Sequence, residues 1–142
     1  MIGIVLAAHG PLPGALLESS SMILGELPQV ATVSLMPGDS LEGLLERLQT
    51  AVNEVNTGEG VLILLDMFGG TPANAAMILT QQMQNVQAVT GINLPMVLET
   101  FMERMSTDRL ELLTATAYSA GHVGIVNLVE AFQQFRQARI ND

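Results

Sequence analysis

The sequence predicts an α/β fold built on a doubly wound, mainly parallel β-sheet. Short apolar runs alternate along the chain with longer segments in which apolar residues recur every three or four positions, which is the pattern of strands alternating with amphipathic helices. The run from Val61 to Leu65 consists only of branched apolar residues, as expected of a strand that is covered on both faces in a parallel sheet. A chain of 142 residues has the length of one such domain.

Each element is assigned from its own local pattern. Strands are predicted at Ile2 to Ala8, Val30 to Met36, Val61 to Leu65 and Val86 to Thr90. Helices are predicted from about Pro11 to Ile23, Leu41 to Val55, Pro72 to Met83, Met96 to Met105 and Asp108 to Ser119. The turn that ends at Ser40 supplies a cap for the second helix. Because parallel strands are joined by right-handed crossovers, the expected strand order is the flavodoxin-like order 2-1-3-4.

The C-terminal part of the sequence is less regular. The run from Val123 to Val129 suits either a fifth strand or another helix, and its β-branched residues favour a strand. The residues from Ala131 to Asp142 are polar and are predicted to be helical or frayed. We therefore expect a single α/β domain over residues 1–130 and a polar C-terminal tail over residues 131–142.

The composition argues against several classes of protein. A net charge of -9 with no lysine disfavours nucleic-acid binding, since phosphate backbones need basic patches. The absence of lysine also excludes a P-loop lysine and a Schiff base, and the absence of cysteine excludes disulfides, zinc ribbons and a thiol nucleophile. The N-terminal apolar run has about seven residues and no basic leader, so neither a signal peptide nor a membrane span is expected. The cytoplasm is the expected location.

Two polar residues follow neighbouring strands of the predicted sheet. His9 comes at the end of the first strand and Asp66 directly after the third. In the order 2-1-3-4 these strands are adjacent, so the two side chains should lie side by side at the carboxyl edge, where α/β sheets bind ligands. Gly69 and Gly70 then supply backbone N–H groups, and Thr71 is predicted to cap the following helix, with Pro72 in its first turn. The sequence therefore predicts an anion site beside His9 and Asp66.

An imidazole beside a carboxylate allows three kinds of chemistry: a general base, a pair of metal ligands, or a nucleophile toward phosphorus. In the last case the carboxylate accepts a hydrogen bond from one ring nitrogen, which fixes the tautomer of the ring. The lone pair of the other nitrogen is then free to attack. Each residue also has an ordinary structural reading, as a loop histidine, a turn aspartate or a helix cap. A zinc site would need a third ligand that cannot be placed, and His122, after Gly121, is expected to be an ordinary loop residue.

Three motifs together resemble the EIIA domain of the mannose family of the bacterial phosphoenolpyruvate:sugar phosphotransferase system (PTS). They are Ala8-His9-Gly10, the segment from Asp66 to Ala76 (DMFGGTPANAA), and the segment from Gly91 to Thr100 (GINLPMVLET). The resemblance covers the chain up to the tail and implies a phosphoryl carrier. We expect no cofactor, since the glycine N–H groups, Thr71 and the helix N-terminus would hold a phosphoryl group without a metal. The resemblance implies that the phosphocarrier protein HPr donates to His9, that Asp66 orients His9, that Thr71 lies near the phosphoryl oxygens, and that EIIB accepts the group.

The resemblance also implies a homodimer in which an antiparallel fifth edge strand is exchanged, which would suit Val123 to Val129. Many family members have serine at the position of Thr71 and serine or threonine at that of Ala8, and many continue into EIIB. Because this sequence stops at Asp142, we expect EIIB as a separate chain. We expect membrane contact only indirectly, through the transporter complex. Two alternatives stay open: a regulatory module that is read out by its phosphorylation state, and a metal-dependent hydrolase that uses His9 and Asp66 as ligands.

Overall fold

The computed structural model describes residues 1–141 as four strands and six helices in one α/β unit. The strands are β1 (Gly3–His9), β2 (Val30–Leu35), β3 (Val61–Leu65) and β4 (Val86–Val89). The helices are α1 (Leu12–Leu24), α2 (Leu41–Val55), α3 (Gly70–Gln82), α4 (Leu94–Arg104), α5 (Leu110–Val123) and α6 (Leu128–Asn141). The four strands and five helices predicted before residue 120 are present, with ends that differ by a few residues.

The four strands are parallel and lie in the order β2-β1-β3-β4, which confirms the predicted topology. In the register of the sheet Ala7 lies opposite Leu65 on one side, and His9 lies opposite Leu35 on the other. The first and third strands are therefore neighbours, and both end at the same edge of the sheet.

Two apolar layers hold the helices against the sheet. Ile63 packs on one face with Val52 of α2 and Leu79 of α3. Leu64 packs on the other face with Val97 of α4. All five residues of β3 are buried, as expected of a central strand covered on both faces, and a fully buried side chain of this size contributes about 1.5 to 3 kcal/mol.

The segment from Val123 to Val129 differs from the prediction of a fifth strand. Within residues 1–141 it comprises the last residue of α5, an irregular connection and the first turn of α6. Its β-branched residues include Ile125 and Val126, which are exposed and have no neighbouring strand to pair with. A preference for strand conformation depends on such a partner, which is why it did not decide the structure here.

The C-terminal tail is helical as far as the structure describes it. Helix α6 begins at Leu128 and has no buried residue. The predicted division between residues 130 and 131 falls inside this helix and stays a prediction, and Asp142 lies outside the described residues. No single helix among residues 1–141 is long and apolar enough to cross a membrane; α5 and α6 would have the length and composition only together, and they are bent by 88° at their junction.

Side chains cap two of the helices that lead away from the sheet. The Ser40 hydroxyl accepts a hydrogen bond from the backbone N–H of Gly43 at 3.0 Å, which confirms the predicted cap of α2. The Asn93 side chain accepts one from the backbone N–H of Met96 at 2.9 Å and so caps α4. These caps satisfy N–H groups that have no partner inside the helix.

A buried arginine fastens the amino edge of the sheet. Arg104, at the end of α4, donates hydrogen bonds to the carbonyl oxygens of Pro28 at 2.6 Å, Gln29 at 3.0 Å and Ile2 at 3.2 Å. Its guanidinium carbon lies 4.8 Å from the ring centroid of Phe101. Within residues 1–141 no carboxylate pairs with Arg104, and burial lowers its pKa to about 10, so it stays charged at neutral pH.

We predict that Arg104→Met destabilises the protein by about 1 to 3 kcal/mol, because it removes a donor from one buried and two partly buried carbonyl oxygens. The measurement is the midpoint of urea unfolding. Arg109→Met is the matched control: Arg109 is exposed and, among the residues that the structure describes, it pairs at the surface with Glu111 alone, so the midpoint should hardly move. Equal midpoints for the two variants would contradict the fastening role of Arg104.

Candidate functional site

His9 and Asp66 meet at the carboxyl edge of the sheet. The Nδ1 atom of His9 lies 2.7 Å from Oδ2 of Asp66, and the backbone N–H of His9 donates to the same oxygen at 3.1 Å. The predicted adjacency of the two side chains is therefore present. Because both contacts come from the end of β1 to the residue after β3, the pairing of these strands fixes the geometry.

The carboxyl group of Asp66 is held in its ionised form. Partial burial acts to raise its pKa, but the hydrogen bonds from the His9 ring and backbone, and the charge of the ring whenever it is protonated, together lower it below the ordinary value. The second oxygen, Oδ1, accepts the backbone N–H of Met67 at 3.0 Å. The stability that the ionised form contributes is present above the ordinary aspartate pKa and is lost as the pH falls through the lowered pKa.

The other side of the His9 ring is open. The side chain of His9 is 46% exposed, whereas that of Asp66 is 14% exposed. With Asp66 as acceptor, the proton of the neutral ring is assigned to Nδ1, which leaves the lone pair on Nε2. Within residues 1–141 no hydrogen bond involves Nε2, so this atom is available to an external group.

The start of α3 faces this nitrogen. A Cβ atom added to Gly70 would lie 3.6 Å from Nε2 of His9 and 3.4 Å from Cε1, so any side chain here would occupy the space next to the ring. Gly69 and Gly70 have φ angles of 91° and 83°, a conformation that residues with a side chain rarely adopt. The free N–H groups of the first turn of α3 point out of the helix and favour an anion at this place.

The prediction that Thr71 caps α3 is wrong. The helix begins at Gly70, two residues before the predicted start, and its N-cap is Gly69, with no side-chain hydrogen bond. The left-handed glycines let the chain enter the helix earlier, which places Thr71 in the first turn. Thr71 is half-buried, and its backbone N–H is one of those that the helix itself leaves free. Binding of phosphoryl oxygens by Gly69, Gly70 and Thr71 stays a prediction.

The third motif supports the edge of the site without adding a reactive group. The backbone N–H of Ile92 donates to the carbonyl of Leu65 at 2.9 Å, so the loop after β4 is tied to the end of β3. The side-chain amide of Asn93 donates to the carbonyl of Gly121 at 3.0 Å. This loop is therefore anchored directly beside the residue that precedes Asp66.

One contact of the candidate site has no signal in the sequence: the hydrogen bond from the backbone N–H of His9 to Asp66. His122, expected in a loop, lies in the last turn of α5, with its ring centroid 4.7 Å from that of Tyr118. Within residues 1–141 no cluster of three or more histidine, cysteine or acidic side chains is placed to hold a metal ion. The arrangement at His9 can act as a nucleophile or as a general base.

Comparison with known proteins identifies the family. The family model described as "PTS system fructose IIA component" matches residues 3–117. The chain is 34% identical over 124 residues to the "PTS system mannose-specific EIIAB component" of Escherichia coli (strain K12), covering 87% of this chain and 38% of that relative. It thus spans less than half the length of that relative. It is 38% identical over 99 residues to the "PTS system fructose-specific EIIA component" of Bacillus subtilis (strain 168), covering 70% of this chain and 68% of that relative.

A solved structure agrees with the sequence comparison. The phosphotransferase system component EIIA from Streptococcus agalactiae superposes with a TM-score of 0.85 at 28% identity, covering 92% of this chain and 99% of that one. The match includes the parallel α/β sheet that brings His9 and Asp66 together. The chain therefore belongs to the EIIA-man family, the EIIA components of the mannose type of the sugar phosphotransferase system.

Proposed function

We propose that this protein is a phosphoryl carrier that accepts a phosphoryl group from HPr on Nε2 of His9 and passes it to EIIB. The observation that carries the proposal is the 2.7 Å contact between Nδ1 of His9 and Asp66, which leaves Nε2 as the open nitrogen. Membership of the EIIA-man family supports a role in a sugar PTS. The exchange with HPr would take place in the cytoplasm, and residues 1–130 would act as one EIIA-like domain.

In the proposed step, the lone pair of Nε2 attacks the phosphorus of a phosphohistidine on the donor. The new P–N bond forms at His9 as the P–N bond of the donor breaks, and the donor nitrogen recovers its electron pair. Nδ1 of His9 keeps its proton, so the phosphorylated ring is cationic, and the ionised Asp66 stabilises that charge through the hydrogen bond at Nδ1.

The oxygens of the phosphoryl group would face the start of α3. The N–H groups of Gly70 and Thr71 lie in its first turn, and the glycine at position 70 leaves the space next to Nε2 free. Transfer to EIIB is the same step in reverse with a different partner. Because the phosphoryl group needs mainly positioning and charge stabilisation, this small set of groups suffices.

We further propose that the protein is a homodimer in which the segment from Val123 to Val129 adds an antiparallel strand to β4 of its partner. Within residues 1–141 the outer edge of β4 has no neighbouring strand. A groove of about 360 Å³ runs beside it, with Ala76, Met77 and Val86 in its lining. The exposed apolar side chains of the C-terminal region, which include Val126 and Phe132, would be covered in such a dimer.

The carrier role predicts a single phosphorylated site. Incubation with phosphoenolpyruvate, enzyme I and HPr should give one acid-labile phosphoryl group, and mass spectrometry should locate it on the peptide that contains His9. His9→Ala should abolish the label. His122→Ala is the matched control, since it removes the other histidine of the chain, and it should be labelled at the normal rate. Label that persists in His9→Ala would overturn the assignment.

The orienting role of Asp66 predicts a kinetic defect without unfolding. Asp66→Asn keeps the size of the side chain but removes the charge that stabilises the phosphorylated ring. A hydrogen bond to a charged group is worth about 1.5 to 3 kcal/mol, so transfer from HPr should slow by about 10- to 150-fold. Labelling that is quenched at a series of times measures the rate, and circular dichroism checks the fold. A normal rate in a folded variant would remove this role from Asp66.

The proposed dimer predicts a concentration-dependent mass. Sedimentation equilibrium should give the mass of two chains for the natural sequence, and Val126→Asp should shift the equilibrium toward one chain because a charge in a paired apolar segment is costly. Met22→Asp places the same charge on an exposed apolar position of α1 and should leave the mass unchanged. A monomer at all concentrations for the natural sequence would contradict the dimer.

A further inference from the structure

The side chain of Asn93 joins the helices α4 and α5. Its Oδ1 atom accepts the backbone N–H of Met96 at 2.9 Å, at the start of α4. Its amide nitrogen donates to the carbonyl oxygen of Gly121 at 3.0 Å, in the last turn of α5. Both bonds are partly buried. One amide group therefore satisfies a free N–H group of one helix and a free carbonyl group of another.

The bond to Gly121 has no substitute within α5. The N–H groups of Gly124 and Ile125, which could reach this carbonyl oxygen along the chain, donate to other carbonyl oxygens. Gly121 is buried, and a Cβ atom there would lie 2.7 Å from Cε of Met96, so the glycine lets the two helices come this close. Among residues 1–141, Asn93 is thus the donor on which this carbonyl group depends.

The loop that carries Asn93 extends the pairing of β3 with β4. The register of the two strands stops one residue short of the end of β3. Beyond it, the backbone N–H of Ile92 donates to the carbonyl oxygen of Leu65 at 2.9 Å. That carbonyl group belongs to the planar peptide unit whose nitrogen is the backbone nitrogen of Asp66. The loop therefore fixes the plane in which the chain enters Asp66.

The chain after Asp66 is irregular. Residues 66–69 connect β3 to α3, and the connection ends in Gly69 and Gly70, both with positive φ. The short aspartate side chain follows its backbone closely, so a tilt of the peptide plane before Asp66 would move the carboxylate. The 2.7 Å contact with Nδ1 of His9 therefore depends on the bond that holds this plane.

We propose that Asn93 is a positioning residue of the proposed carrier: it anchors the loop that holds the peptide unit between Leu65 and Asp66, and so keeps the Asp66 carboxylate on Nδ1 of His9. The inference rests on the proposed function and deepens it. Asn93 acts on the chemical step, since a displaced Asp66 stabilises the phosphorylated ring less well. Binding of the donor does not depend on it.

Two substitutions separate the two bonds of Asn93. Asn93→Asp and Asn93→Ser both keep a side-chain oxygen of the kind that caps helices, so the cap of α4 is retained. Both lose the amide donor to Gly121, because a carboxylate only accepts and the serine hydroxyl lies closer to its own backbone. An effect that both variants share comes from the lost donor and not from the charge of aspartate.

The chemical step is measured with two donors. Labelling of His9 is followed with phosphorylated HPr and, separately, with phosphoramidate, whose P–N bond breaks to release ammonia. Loss of one hydrogen bond between neutral groups should lower kcat with HPr and the rate with phosphoramidate alike, by about 2- to 10-fold, and leave KM for phosphorylated HPr unchanged. Unaltered rates, or a rise in KM with no loss of kcat, would overturn the proposal.

The tautomer of His9 gives a second readout, which a loss of stability alone does not move. Nitrogen NMR of the imidazole ring is recorded in the His122→Ala background, where His9 is the only histidine. Contact with Asp66 keeps the ring proton on Nδ1, so the signal of this tautomer should weaken in the Asn93 variants, whose fold is checked by circular dichroism. An unchanged tautomer signal in both variants would contradict the positioning role.

Asn56→Asp is the matched control. The Oδ1 atom of Asn56 also accepts backbone N–H groups, from Gly58 at 2.9 Å and Gly60 at 3.3 Å, but it lies before β3, at the amino edge of the sheet. Within residues 1–141 its amide nitrogen donates no hydrogen bond, so the same substitution removes no donor that is in use. Both rates and the tautomer signal should stay unchanged.

The two readouts separate failure of this role from failure of the proposed function. If neither donor labels the natural protein, the carrier function fails, and the tautomer signal still decides whether Asn93 positions Asp66. If both donors label the natural protein and the Asn93 variants at equal rates, the carrier function stands and the positioning role alone fails.

Discussion

The contact between His9 and Asp66 is the interaction on which the functional edge of the molecule depends. It exists because β1 and β3 are neighbours in the sheet, and this neighbourhood follows from the crossover topology of the whole chain. A partly buried carboxylate without donors would be costly, and here the His9 ring, the His9 backbone and the Met67 backbone all donate to it. The same bonds that stabilise the carboxylate orient the ring and expose its other nitrogen.

The fold and the central pair were predictable from the sequence because they depend on long-range rules with few exceptions. Alternating strand and helix patterns specify a parallel sheet, the handedness of crossovers limits its strand order, and that order joins His9 to Asp66. The start of α3 was not predictable in the same way. Threonine is a residue type that often caps helices, which is why Thr71 was predicted as the cap. Two consecutive glycines with positive φ instead place the start of the helix before Thr71. Such dihedral angles cannot be inferred from residue preference alone.

The segment from Val123 to Val129 shows a different limit of sequence reasoning. Its β-branched residues favour a strand because they pack well on the pleated surface of a sheet. Within residues 1–141 no strand lies beside this segment, so that packing is not available to it. The two edges of the sheet also differ in how they are held. Arg104 fastens the amino edge through three carbonyl groups, whereas the carboxyl edge is formed by glycine turns and exposed apolar loops. The buried arginine and the pair of His9 and Asp66 thus lie at opposite ends of the same strands.

The distance along the chain between the two members of the central pair has a consequence for folding. His9 and Asp66 are 57 positions apart, and no local segment contains both. Closing so long a loop is entropically unfavourable until the strands at its ends dock, so the pair can assemble only when the central strands have found each other. In the proposed carrier, phosphoryl labelling of His9 would therefore appear together with long-range order in a refolding chain, and it would report the native topology.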